Sequence, residues 1–253
     1  MPATPFDSPI WRSVFHDADI APLFTDTAVL RAELLVMGTL ALTQAKSGTV
    51  PEISAQAIQR AGMEIQVDPA GLHQVTGESG DPVAALIAAF QNEMKAPEHA
   101  KWVHHDSDTA LTAATARALR MRQVLGIFQT RLHPESQSAG ALDNLRPHLL
   151  RAYHRDAATR AGLAKGLGLQ DAGDDASPAH GLICFAQWAL DTAEMTTAHT
   201  PAQEAVAQMI PHLCQPLLAA EDTATGRLVA NLALPQLCLG LATLTGTQTR
   251  VAN

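Results

Sequence analysis

Between Pro97 and Leu111 the chain reads Pro-Glu-His-Ala-Lys-Trp-Val-His-His-Asp-Ser-Asp-Thr-Ala-Leu, gathering His99, His104 and His105 with Asp106, Ser107, Asp108 and Thr109 ahead of a long apolar period. Imidazole titrates near neutrality and serves as donor or acid. A helix that starts here presents unsatisfied N–H groups and the positive end of its dipole, which suits a carboxylate-bearing ligand. Asp106, Ser107 and Asp108 are equally the residue types that cap any helix, and both readings stand on residue chemistry alone. The nitrogen and oxygen donors of His99, His104, His105, Asp106 and Asp108 raise a metal site as a rival. No His-x-x-x-His pair supports it, so no metal and no cofactor are expected.

The elements that must hold these residues read as helices. Aromatic residues make up only 4% of the chain, and no run alternates apolar and polar positions long enough for a strand. Helices are predicted over 27–46, with Asp26 as cap and Ser47-Gly48 as stop, then over 54–61, 69–76 and 82–94, the last two opened by Asp-Pro. Over 109–133, Leu111, Ala114, Ala118, Met121, Leu125, Phe128 and Leu132 recur at steps of three and four, a seam for neighbouring helices ended by Pro134. Residues 136–141 read as a loop. Residues 146–167 read as one helix whose Arg146, His148, Arg151, His154, Arg155 and Arg160 form a solvated basic face. A connection over 171–178 leads to helices over 179–197 and 201–219, the second with Thr200 and Gln203 in a capping box.

Composition narrows the function classes. The 253 residues are 47% hydrophobic and carry a formal net charge of −8, enough to bury a core and unlike a partner of nucleic acid or an anionic membrane. Cys184, Cys214 and Cys238 lie far apart in apolar contexts without a Cys-x-x-Cys pair, which fits a reducing cytoplasm better than a disulfide framework. The beginning of the chain shows no basic patch followed by an apolar run, so no secretory signal is expected. The most apolar tract, 228–244, is interrupted by Asn231, Pro235 and Gln236 and reads as a buried helix rather than a membrane span.

The order Trp102-Val103-His104-His105, followed by Asp108-Thr109-Ala110-Leu111 opening a long helix, resembles the 3-carboxy-cis,cis-muconate cycloisomerases of the fumarase/aspartase superfamily. There, Val-His-x-Gly-Ala-Thr-Ser-Gln-Asp runs into Asp-Thr-Ala-Leu. The opening Thr4-Pro5-Phe6-Asp7-Ser8-Pro9, Phe15, Leu23-Phe24-Thr25-Asp26, the run Ile65 to Leu72 and Ala96-Pro97-Glu98-His99-Ala100 keep the family's order over residues 1–133. Residues 161–169 and Leu234-Pro235-Gln236-Leu237-Cys238 look like later family segments. Two departures stand out. The Gly-Ala-Thr-Ser-Gln-Asp segment has collapsed to Asp106-Ser107, and neither Gly-Ser-Ser-x-Met-Pro-x-Lys-x-Asn, which carries the superfamily's catalytic serine, nor Gly-Gln-x-Ala-x-Pro-Thr is present.

The resemblance implies an all-α helical bundle, a truncated fumarase/aspartase-type fold, with an N-terminal helical domain over 1–108 and an internally shortened long-helix domain over 109–253. It carries one catalytic role over, to His104, and makes His105, Ser107 and Thr109 substrate-binding neighbours of the lost segment. The implied ligand is a small polycarboxylate, lactonised in aromatic catabolism. The implied assembly is a homo-oligomer, or a hetero-oligomer with a full-length paralogue, through the 109–133 helix. Losing one preorganised donor costs about a hundredfold or more in rate, so a chain without the whole loop is expected to be weak or inactive alone. The rival class is a non-catalytic helical interaction protein.

Overall fold

The computed structural model describes residues 8–246. The order is α1 (Arg12–Phe15), α2 (Asp26–Lys46), α3 (Glu52–Glu64), α4 (His73–Ser79), α5 (Pro82–Glu93), α6 (Pro97–Ala100), α7 (Thr109–Arg131), α8 (Gln137–Leu149), β1 (Arg151–Ala152), α9 (Ala157–Leu167), β2 (Gln170–Asp171), α10 (Pro178–Met195), α11 (Pro201–Leu218) and α12 (Ala224–Thr245). The architecture is all-α, as expected, and the Thr4 to Asp7 motif lies outside the described residues. The chain forms two compact units interleaved along the sequence. Among the described residues, one holds 25–120 and 150–178; the other holds 8–24, 121–149 and 179–246.

The first unit is built on α2. Its cap is Thr25, whose side chain accepts from the Ala28 N–H, one residue before the Asp26 expected from sequence. Both flanks of α2 are apolar, so it is buried on two sides. Leu30, Leu34, Met37 and Ala41 pack with Ile58, Val83, Leu86, Phe90 and Val103. Ala32, Val36 and Leu40 pack with Ala116, Leu119, Leu163, Ala164 and Leu167. Close approach of α9 requires glycine: a Cβ on Gly162 would stand 2.2 Å from Thr43 Cγ2.

The single helix expected over 146–167 is corrected here. A helix already begins at Gln137, where a loop was expected, and it ends at Leu149 just after Pro147, which has no N–H to donate. Leu150 to Ala152 then runs extended and pairs in parallel with 170–172, Gln170 N–H donating to Leu150 O at 3.0 Å and Ala172 N–H to Ala152 O at 3.2 Å. A new helix starts where Asp156 accepts from the Thr159 N–H at 2.7 Å. The solvated basic face is corrected with it. Arg160 is only 5% exposed and grips Asp171 at 2.5 Å, Asp174 at 2.7 Å and the His154 carbonyl at 3.1 Å.

In the second unit, the far end of α7 packs Phe128 against Trp188 of α10, with ring centroids 5.5 Å apart, and the Trp188 indole donates to Ser138 O at 3.0 Å. Arg131 holds Asp17 and Asp19, each at 2.6 Å. Helices α11 and α12 form a hairpin whose inner faces bury Val206, Ile210, Cys214 and Leu217 with Leu234, Leu237, Leu241 and Leu244. Thr200 Oγ1 accepts from the Gln203 N–H, and the Gln203 side chain accepts in turn from His199 N–H, close to the expected capping box. The tract over 228–244 is one helix running through Pro235; its first turns bury Ala230 and Ala233 but leave one face open, Leu228 being 44% and Leu232 64% exposed. Helices α2 and α12 are long and apolar enough to cross a membrane, and half or more of each apolar window is buried inside the chain.

Candidate functional site

The polar groups converge where α7 begins. Asp108 is its cap: Oδ1 accepts from the Ala110 N–H at 2.8 Å, and the backbone carbonyl accepts from the Thr112 N–H. Of the two readings left open by sequence, capping is thus realised at Asp108. Its other carboxylate oxygen takes Arg155 at 2.7 Å. Thr109 Oγ1 donates to Asp81 Oδ2 at 2.6 Å, while Asp81 Oδ1 caps α5 through the Val83 and Ala84 N–H groups. One carboxylate thereby starts one helix and ties down another.

His104 lies in the shortened connection ahead of α7, with its Nε2 2.8 Å from Thr112 Oγ1. Both His104 (φ 56°) and Asp106 (φ 46°) are in the left-handed region, a cost of roughly 1–2 kcal/mol each that marks how tightly the connection is drawn. His105 does not face the same partners. Its ring packs edge-on to Trp102 at 4.9 Å, and its carbonyl accepts from Gln44 Nε2 at 2.7 Å. Ser107 is half-buried just ahead of α7. His99 bonds Ser54 Oγ at 3.0 Å, away from the others, and the five residues of the rival metal set do not gather their ligand atoms at one point.

Two groups missed by sequence reasoning complete the cluster. Glu33 of α2 is 3% exposed, and burial pushes its carboxyl up to about 7; Arg120 pulls it down and Asp81 adds to the rise. Its spacing from Leu30 and Met37 was the available signal, an acid on a buried helical face. His154 accepts the Asp156 N–H at Nδ1, which puts the proton on Nε2, and that buried Nε2–H has no acceptor among the described residues. Burial holds His104 below the ordinary imidazole value; nearby Asp108 and Asp81 oppose this and His154 adds to it.

The arrangement therefore offers a neutral imidazole and a carboxyl poised near neutrality, both suited to proton transfer. The hydroxyl of Thr109 is given to Asp81, and Asp108 already engages Arg155. Two open clefts of about 270 and 350 Å³ lie along α2, one lined by Arg31, Gly38, Gln59 and Met63, the other by Leu30, Arg31, Ile65 and Val67.

No family model matches the chain. It is similar to the 3-carboxy-cis,cis-muconate cycloisomerase of Acinetobacter baylyi, 26% identical over 129 residues, covering 49% of this chain and 29% of the relative. It is similar also to the nitrosuccinate lyase of Streptomyces davaonensis, 28% identical over 141 residues, 55% of this chain and 29% of the relative. The matches thus span under a third of the length of either curated relative. The fold is similar to the solved 3-carboxy-cis,cis-muconate lactonizing enzyme of Pseudomonas putida (TM-score 0.79, 17% identity, 94% of this chain and 75% of that one). It is also similar to fumarate lyase from Mesorhizobium sp. (TM-score 0.71, 17% identity, 91% and 75%).

Proposed function

We propose that this chain, a shortened relative of the fumarase/aspartase superfamily by its fold and by sequence over about half its length, is a cycloisomerase-like protein that does not turn over a carboxymuconate alone. Lactonisation needs donors that hold several carboxylates and an acid that protonates the carbanion. The observation that carries the reading is the bond from Thr109 to Asp81: the hydroxyl that would meet a substrate carboxylate is already spent inside the chain, beside three acids, Glu33, Asp81 and Asp108. His104 and Glu33 retain proton-transfer chemistry, but Asp81 and Asp108 stand beside His104 and oppose a bound tricarboxylate. Purified chain mixed with 3-carboxy-cis,cis-muconate is expected to leave the diene absorbance falling at the background rate. Rapid loss that His104→Gln abolishes would overturn the proposal.

The second reading, a subunit that co-assembles with itself or with a full-length relative, is favoured by the exposed apolar turn of α12 at Leu228, Val229 and Leu232. The seam of α7 is committed elsewhere, since Ala114, Ala118, Met121, Leu125, Phe128 and Leu132 are buried within the chain. Assembly through 109–133 would use its remaining outer face at Arg122, Gln123 and Thr130. Light scattering with Leu232→Glu beside Gln123→Glu separates the two surfaces, because only the one in use loses mass on substitution.

A further inference from the structure

We propose that His148, His180 and Cys184 form a metal site for a borderline-soft divalent cation, zinc(II) foremost, independent of the cluster at the start of α7. His180 and Cys184 stand four residues apart on α10, so their side chains share one helical face, and Cys184 Sγ lies 3.5 Å from His180 Nε2. His148 reaches them from the last turn of α8, its ring meeting that of His180 edge-on with centroids 5.3 Å apart. One ligand atom from each residue falls within 4.8 Å of the others.

The backbone is shaped for this meeting. A Cβ at position 181 would stand 2.6 Å from the His148 carbonyl, so only glycine lets α10 approach the end of α8 this closely, and that glycine sits between the two α10 ligands. His148 Nδ1 is buried and has no hydrogen-bond partner among the described residues. A sulfur–imidazole contact accounts for two of the residues but leaves this third nitrogen without a role. Zinc bonds of about 2.3 Å to sulfur and about 2.0 Å to nitrogen give a tetrahedral S–N edge of about 3.5 Å, the separation already present between Cys184 and His180. His180 is exposed and can turn to close the remaining edges. A thiolate with two imidazoles selects zinc over magnesium or calcium and leaves a fourth position for water, an open rather than a closed structural set. Metal entry displaces the thiol proton, so affinity rises with pH.

The test uses the untagged full chain stripped by a chelator and titrated with cobalt(II), then zinc(II). One equivalent of cobalt is expected to produce a thiolate-to-cobalt charge-transfer band in the near ultraviolet, with visible bands of four-coordinate intensity, which zinc abolishes. Cys184→Ser is expected to remove the charge-transfer band, and His148→Gln and His180→Gln to weaken cobalt binding by about tenfold or more, with unchanged far-ultraviolet dichroism. Absence of the band in the wild-type chain overturns the proposal, as does a band that survives Cys184→Ser. If His148→Gln does not fold, the exposed His180→Gln decides, and wild-type cobalt affinity in that variant overturns it.

Discussion

At the scale of single residues, Glu33 and His104 give opposite pH signatures. The folded Glu33 carboxyl is raised from 4.5 to about 7, so the stability it contributes is present in acid and lost as pH rises through 7. Glu33→Gln, which keeps the neutral shape, is expected to match the wild type near pH 4 and to exceed it at pH 8 by up to about 3 kcal/mol in urea unfolding. A variant less stable than wild type at pH 8 would show the carboxylate to be needed in its charged form. His104 is held below 6.5, so the unfolded chain takes up its proton first and the folded chain loses stability as pH falls below 6.5. His104→Gln is expected to flatten that acid-side slope. The sequence made the capping chemistry at Asp108 legible, because residue type alone dictates it. It did not reveal Glu33 or His154, whose roles follow from burial by segments distant in the chain.

At the scale of elements, the long helices were legible because α2, α5, α7 and α11 carry their own caps, whereas α10 borrows Asp222, which accepts from its Ala179 N–H. The break between α8 and α9 was not. A stretch rich in Arg and His looks continuous until the pairing with 170–172 forms, and that pairing joins residues about twenty positions apart. Removing one cap tests the local argument: Thr25→Ala is expected to cost about 1 kcal/mol. The contact between α9 and α2 tests the packing argument. Gly162→Ala drives a methyl into Thr43 and is expected to cost about 1–3 kcal/mol, most of it recovered by adding Thr43→Ser, which deletes the opposing Cγ2. An additive pair would mean that the two helices do not meet as described.

At the scale of the molecule, the similarity to solved lyases and cycloisomerases covers almost the whole chain in fold, whereas the sequence relation to the cycloisomerase extends over about half of it. A helical scaffold can keep its packing while its loops change, because apolar periodicity tolerates substitution and loops tolerate deletion. Here the connection ahead of α7 is short enough to force two non-glycine residues to positive φ, and it turns His104 toward Thr112. The same region commits Thr109 to Asp81 and Arg155 to Asp108, while the buried Nε2 of His154 keeps no acceptor among the described residues. The most direct test of that commitment is an NMR titration of the His104 imidazole, assigned by its loss in His104→Gln, in the absence and presence of excess tricarboxylate. The expected midpoint lies below 6.5 in both cases, because burial sets it and no ligand carboxylate reaches the ring. A midpoint moved above 6.5 by the ligand would mean that an anion pairs with His104 and would contradict the account.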